Sequence, residues 1–293
     1  RVGRRGLGTA IVEGLRAARG RFVAVMDADL QHPPEVLPRL LEAALRGYDV
    51  VVASRYAPGG GVAGWSRRRL LMSRAAVLLA HLLLPESRAT SDPMSGFWLV
   101  RREALEGVEL EGRSWKVLLE LLAKKPRLRV ADVAYTFEPR VHGESKLGAS
   151  TVAGYVAELL RLSRYRVLRF ALVGATGTLV NAAVAEALSS AGAPGPLALA
   201  LGWEAGLTWN FILHDRWTFR GRRSLPGLRG ALRYWLRYHL AAGLGFTLYM
   251  AAGSLLLALG AAPWQAVLGG VAAGFTANYL ASEHRVWSPR ERG

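Results

Sequence analysis

The sequence predicts an α/β domain with a mostly parallel sheet over residues 1–150. An interfacial helix at 151–166 follows, then an all-α membrane domain of four helices over 167–288. Three observations predict this. Short apolar, β-branched runs alternate with helical patterns in the first half, the signature of β-α-β units. Four apolar stretches in the second half, 167–187, 197–213, 238–259 and 264–280, each approach the roughly 20 residues that span hydrocarbon. Hydrophobic residues make up 51% of the 293 and charged residues 20%, but the two classes are segregated.

The net charge of +16 suits nucleic acid, an anionic membrane surface or phosphate substrates. Most of the excess flanks the apolar stretches. No base-reading module or stacking platform accompanies it, which argues against nucleic acid. The chain has no cysteine, which excludes disulfides and thiolate metal sites. No secretory signal is recognisable. Arg1-Val2-Gly3 reads as the interior of a longer chain, so an N-terminally incomplete protein is expected.

Taken in order, residues 7–18 have apolar side chains at helical spacing and stop at Gly20. Gly3, Gly6 and Gly8 imitate a phosphate loop, but no strand precedes them; a glycine-lined helix start packed on the sheet is the better reading. Residues 22–26 suit a strand buried on both faces. It ends at Asp27 and Asp29, whose carboxylates cost desolvation energy unless a cation lies between them. Hard oxygen ligands suit Mg²⁺ or Mn²⁺. The plainer alternative is a helix-capping aspartate and a loop aspartate. His32-Pro33-Pro34-Glu35 then opens a helix over 34–45, with proline in its first turn. Residues 48–53 form the next buried strand, and Ser54-Arg55-Tyr56 leaves its end before a glycine run. Arg55 therefore sits on the strand-end rim where such sheets bind ligands.

Residues 65–84 carry Arg67, Arg68, Arg69 and Arg74 and then almost unbroken Ala, Leu and Val. The pattern suits a helix lying on a membrane surface; a buried core helix is the alternative. Asp92, before a proline, either caps a turn or faces an active site, with Gly96 permitting close backbone approach. Residues 128–137 read as a strand. Arg140, Ser145 and Lys146 follow in a glycine-broken loop of the kind that closes over phosphates.

In the second half, the first and last connections between apolar stretches are uncharged. The middle one holds Arg216, Arg220, Arg222, Arg223, Arg229 and Arg233. The positive-inside rule puts both termini and this loop in the cytoplasm. Thr208, Asn210 and Phe211 with Trp217 recur as Thr276, Asn278 and Tyr279 with Trp287, so two similar hairpins are expected. Trp209, Trp217, Trp264 and Trp287 suit interfacial anchoring. Glu186 and Glu204 read as structurally paired, and Asn181, Asn210 and Asn278 as polar contacts between helices.

Several of these segments carry a family resemblance. MDADLQHPPE resembles the D-x-D segment of family 2 glycosyltransferases, in the dolichol-phosphate mannose synthase branch. SRY before a glycine run, DPMSGF and RVHGESK resemble further segments of that branch. The four-helix unit with its repeated N-[FY] ends resembles the GtrA-like family. The resemblance implies a GT-A fold whose first two strands, with their nucleotide-base contacts, are missing here. It implies that Asp27, Asp29 and Gln31 hold the divalent metal bridging the donor diphosphate. Arg55, Arg69, Arg140, Ser145 and Lys146 would hold the acceptor phosphate, and Asp92 would face the site. The implied reaction is inverting transfer of mannose from GDP-mannose to a polyprenyl or dolichyl phosphate at the cytoplasmic face, with Asp27, Asp29, Gln31, Arg55 and Arg140 as its catalytic set. UDP-glucose or another nucleotide sugar is an alternative donor. Non-catalytic glycolipid translocation or membrane anchoring is an alternative of another class.

Overall fold

Two units divide the chain between Arg164 and Tyr165, in a computed structural model that describes residues 6–29, 31–139, 149–225 and 227–288. Both junction residues hold left-handed backbone, at φ 53° and 56°, a conformation that non-glycine residues adopt at a cost.

The first unit contains α1 (Leu7–Ala17), β1 (Phe22–Val25), α2 (Leu37–Leu45), β2 (Val50–Ser54), β3 (Gly61–Val62), α3 (Arg67–Leu83), β4 (Trp98–Arg101), α4 (Val117–Lys124), β5 (Val130–Ala134), β6 (Thr136–Phe137) and α5 (Ala149–Leu162). The main sheet has the order β1-β4-β2-β5, and β3 and β6 form a separate parallel ribbon. The alternation of β1, α2 and β2 predicts a mostly parallel sheet that includes those two strands. Instead β4 lies between them, antiparallel to both, while β2 and β5 pair in parallel. The sheet is therefore mixed. The apolar FWLV run earns the central place, with Phe97, Trp98 and Val100 almost wholly buried. β1 is an edge strand among the described residues and is only partly buried; β2 is the strand buried on both faces.

Strand alternation sorts the core into two layers. Val50 and Val52 face α1 and α4 through Val12, Leu15, Leu118 and Leu121. Val51 and Ala53 face α2 through Leu40 and Ala44. A third cluster joins α3, α4 and α5 through Val77, Leu119 and Leu159, so the helix expected at 151–166 buries one face on protein and ends at Leu162. The glycine-lined start of α1 meets a loop and not the sheet: a Cβ at Gly8 would run into the Ser114 carbonyl oxygen.

The second unit is four helices: α6 (Arg166–Ser190), α7 (Gly195–Leu213), α8 (Gly227–Ala258) and α9 (Pro263–Ala281). α6 packs on α7, and α8 on α9. Gly177, Gly202 and Gly206 let the first pair approach closely, and at one constant spacing Gly245, Gly270 and Gly274 do so in the second. The same spacing relates the π-helical turns that close each hairpin, His214–Thr218 and Ser282–Val286. In this register Trp287 matches Phe219, not Trp217, and the two rings stack with centroids 4.6 Å apart. Trp287 is wholly buried, so it is no interfacial anchor; Trp209, Trp217 and Trp264 are exposed. By length and composition α6 and α8 are apolar enough to cross a membrane; α7, of 19 residues, carries Glu204 and Asn210. Glu204 pairs with His239 of α8 at 3.2 Å and accepts from Thr208.

Candidate active site

The expected site residues that the structure describes cluster at the ends of β1 and β2. Asp27 and Asp29 follow β1 directly, and both are partly exposed. The backbone N–H of Gln31 donates to Asp29 Oδ1 at 3.3 Å. Gln31 is buried, its amide donates to the Glu138 carbonyl, and Glu138 N–H returns a bond to the Gln31 carbonyl. The segment after the two aspartates is thereby tied to the chain leaving β6.

Asp92 is completely buried and grips Arg55. It accepts from Nε at 2.7 Å, from Nη2 at 2.8 Å and from the Arg55 backbone N–H at 3.2 Å. Burial pulls against the guanidinium charge, but the bonds and field of Asp92 outweigh it, and the Arg55 pKa lies above its ordinary value. The sequence left Asp92 between a turn cap and an active-site residue; here it orients the arginine. Its own backbone is held in turn. Asp132 of β5 accepts from Thr90 and Ser91 side chains and from Ser91 N–H, and Thr90 Oγ1 accepts from Asp92 N–H. Gly60 folds back on Arg55, and a Cβ there would fall 2.6 Å from the Ser54 carbonyl oxygen.

Arg69, in the first turn of α3, stacks on Trp65 at 4.2 Å, and Arg55 reaches the same indole at 5.5 Å. Two of the expected acceptor cations thus flank one ring. A cleft lined by Arg55, Tyr56, Gly60, Arg74, Val77 and Ser91 opens beside them. Arg140, Ser145 and Lys146 lie outside the described residues.

Residues 92–96 connect the two halves of the site. A Cβ on Gly96 would sit 3.0 Å from Asp27 Oδ2 and 3.5 Å from His32 Nε2. A side chain there would crowd the carboxylate, so glycine suits this close approach, as its place in the sequence suggests. Lys116 lies buried under the same turn and donates from Nζ to the Met94 carbonyl at 2.8 Å. Burial first, and then the field of Arg55, holds its pKa well below the lysine range, against the pull of Asp92 and Asp27. Sequence reasoning missed Lys116, Asp132, Trp65 and His32. Lys116 is one charge at the head of an apolar run, and nothing local marks its depth.

Among the described residues no three His, Asp or Glu side chains come together as a ready-made metal cage. The donor set still fits Mg²⁺ or Mn²⁺. Asp27 and Asp29 are close in sequence, partly exposed and hard, and such ions fill their remaining positions with water and phosphate oxygens. The buried His32 Nε2 beside Asp27 has no hydrogen-bond partner.

Comparison with known proteins agrees with this division of the chain. Residues 1–108 match the family described as Glycosyl transferase family 2, and residues 169–287 match GtrA/DPMS, transmembrane domain. The dolichol-phosphate mannosyltransferase of Pyrococcus furiosus is 36% identical over 294 residues, covering 98% of this chain and 82% of that protein. That of Saccharomyces cerevisiae is 37% identical over 171 residues, covering 55% of this chain and 62% of its own. That of Mycosarcoma maydis is 36% identical over 171 residues, covering 57% of each. The chain thus spans about three fifths of the length of the fungal relatives.

Proposed function

Because this chain is a glycosyltransferase of the dolichol-phosphate mannosyltransferase family, we propose that it moves one mannose from GDP-mannose to a polyprenyl phosphate, with inversion, at the cytoplasmic membrane face. One observation carries the reading. The turn at 92–96 brings a carboxylate pair and a buried, oriented arginine to one rim: Asp92 holds Arg55 at one end, and Gly96 abuts Asp27 at the other. One half of that rim suits a cation on a leaving diphosphate, the other an incoming phosphate.

Asp27, Asp29 and Gln31 would hold the cation, which supplies Lewis-acid stabilisation of the leaving diphosphate when bound. The attacking oxygen belongs to a phosphate already ionised near neutrality, so the chain needs no general base there. Its task is orientation and charge. Asp92 occupies Nε and Nη2 of Arg55, which leaves Nη1 as the donor for the acceptor. Arg69, fixed on Trp65, adds the second cation. Arg140, Ser145 and Lys146 would close over the same phosphate.

The acceptor's tail stays in lipid, so the site must lie at headgroup level. α3 exposes Leu71, Met72 and Leu78 next to its arginines, as an interfacial helix does. The second unit exposes Leu179, Leu199, Leu240 and Leu268, one on each helix, which suits four lipid-facing crossings, and the arginines beside them would put both termini in the cytoplasm. Cysteines introduced at Ala193 and Arg223 should then label from opposite sides of intact cells; labelling from one side refutes this topology.

The direct test assays the full chain in membranes with labelled nucleotide sugars and polyprenyl phosphates. Transfer from GDP-mannose, lost in excess chelator, is expected. Preference for UDP-glucose would replace the donor. Lipid movement without transfer would overturn the enzymatic assignment to this substrate.

A further inference from the structure

His32 is buried at 3% exposure. It is enclosed by Phe97, Tyr135 and Phe137, with ring centroids 5.2, 5.7 and 5.2 Å away. The described structure gives it two polar neighbours. Nδ1 lies 3.1 Å from the Tyr135 hydroxyl. Nε2 lies 3.5 Å from Asp27 Oδ2 and has no hydrogen bond. A polar nitrogen left unpaired at such depth is destabilising unless it serves a partner. The aromatic walls hold the ring, and the gap to Asp27 is slightly longer than a hydrogen bond.

The two neighbours select one tautomer. A carboxylate oxygen only accepts, so a proton must sit on Nε2; with the proton on Nδ1, two lone pairs would face each other in a buried place. Nδ1 then accepts from the Tyr135 O–H. Burial raises the Tyr135 pKa, which keeps that hydroxyl protonated as a donor. Gly96, facing both Asp27 Oδ2 and His32 Nε2, closes the third side.

We propose that His32 is a positioning residue: the chain Tyr135 Oη–Nδ1, Nε2–Asp27 Oδ2 holds one oxygen of Asp27 and turns the other toward the cation. This rests on the reading of Asp27 and Asp29 as metal ligands. It assigns the outer support of that site to an imidazole, a role in which loss costs about 10–100-fold in metal affinity. Catalytic bonds that are long in the free protein tighten once the ligand arrives, and the 3.5 Å gap closes in this way.

The test is Mn²⁺ titration of the purified full chain, followed by the free-ion paramagnetic signal. Wild type should bind Mn²⁺ at a site that Asp29→Ala removes. His32→Phe keeps the ring volume and deletes the donor; it should weaken Mn²⁺ about tenfold or more without lowering the melting temperature. His32→Gln puts an amide N–H near the place of Nε2 and should return affinity to within about threefold of wild type. Wild-type affinity in His32→Phe overturns the proposal. If wild type shows no site that Asp29→Ala removes, the metal reading itself fails, and this inference falls with it. Should His32→Phe not fold, ¹⁵N-histidine spectra of the wild type decide. The Nε2–H tautomer of His32 supports the proposal, and the Nδ1–H tautomer overturns it.

Discussion

Each unit buries an arginine against a carboxylate, and the two arrangements differ in what they leave over. In the first unit Asp92 takes Nε and Nη2 of Arg55. The guanidinium keeps Nη1 and lies against the rings of Tyr56, Trp65 and Phe137 at 5.5–5.7 Å. In the second unit Glu283 is wholly buried and receives Arg166 Nε at 3.1 Å, Arg222 Nη1 at 2.6 Å and the Tyr279 hydroxyl at 3.4 Å. There two arginines converge on one carboxylate, across α6, α9 and the loop after α7. One pair presents a cation beside a cleft; the other fastens helix ends. Buried ion pairs seldom add net stability, because desolvation offsets their attraction. What separates a site from a fastening is the donor capacity left for a ligand.

The severest change removes a carboxylate at the ligand-binding rim. Asp29→Ala should lower transfer at least about a hundredfold, since a bound cation supplies several kcal/mol to the leaving group. Membrane insertion and melting temperature should stay as in wild type. A fully active Asp29→Ala protein would end the metal assignment.

Next come the two carboxylates themselves. Asp92→Ala and Glu283→Ala each strand a buried guanidinium, which costs about 3–5 kcal/mol. Both should melt earlier. Their kinetics should part: at a temperature where both are folded, Glu283→Ala should keep wild-type turnover, and Asp92→Ala should lose acceptor turnover because Arg55 is no longer aimed. Equal kinetic damage from both would show that the comparison is wrong. Smaller again is Arg140→Ala. One charge-assisted bond to phosphate is worth about 1.5–3 kcal/mol, so turnover should fall about tenfold or more through the acceptor, with donor affinity little changed. Weakened donor binding with normal acceptor dependence would move this loop to the diphosphate.

How much of this was legible in the sequence depended on whether the signal was local. β2, α1, α2 and three helices of the second unit, α6, α7 and α9, carry their own periodicity and appear within a few residues of where the pattern puts them. α8 instead begins at Gly227, well before the apolar stretch expected from residue 238, because its arginine-rich first turns are helical without being apolar. The place of β4 was not legible, because insertion between β1 and β2 is a long-range pairing that no window of sequence contains. Asp27, Asp29, Arg55 and Arg69 were legible as charged residues at strand and helix ends. His32 and Lys116 were not: their meaning is depth, and depth is set by Phe97, Phe137 and Met94, which arrive from other elements. Trp217 and Trp287 misled for the same reason, since the repeat register is fixed by glycine contacts between helices.

A third carboxylate, which is neither site nor buried fastening, should matter least. Glu111 accepts from Lys124 at 3.0 Å, Arg161 at 2.9 Å and Arg113 at 2.5 Å, and so joins α4 and α5 to the loop before them. The Lys124 bond, and then the field of Arg161, outweigh the cost of burial and hold its pKa down to about 2. A depressed carboxylate pKa stabilises the fold above the unfolded value, and that contribution drains away as pH falls from about 4.5 toward about 2. Its side chain is 35% exposed, so solvent screening limits the contribution to about 1 kcal/mol or less. Glu111→Gln should therefore unfold slightly earlier in urea at pH 7, read by tryptophan fluorescence of the full chain in detergent. The gap to wild type should shrink through pH 4 and be nearly gone at about pH 2. A gap that persists unchanged at low pH would mean that Glu111 works by shape and packing, not by charge.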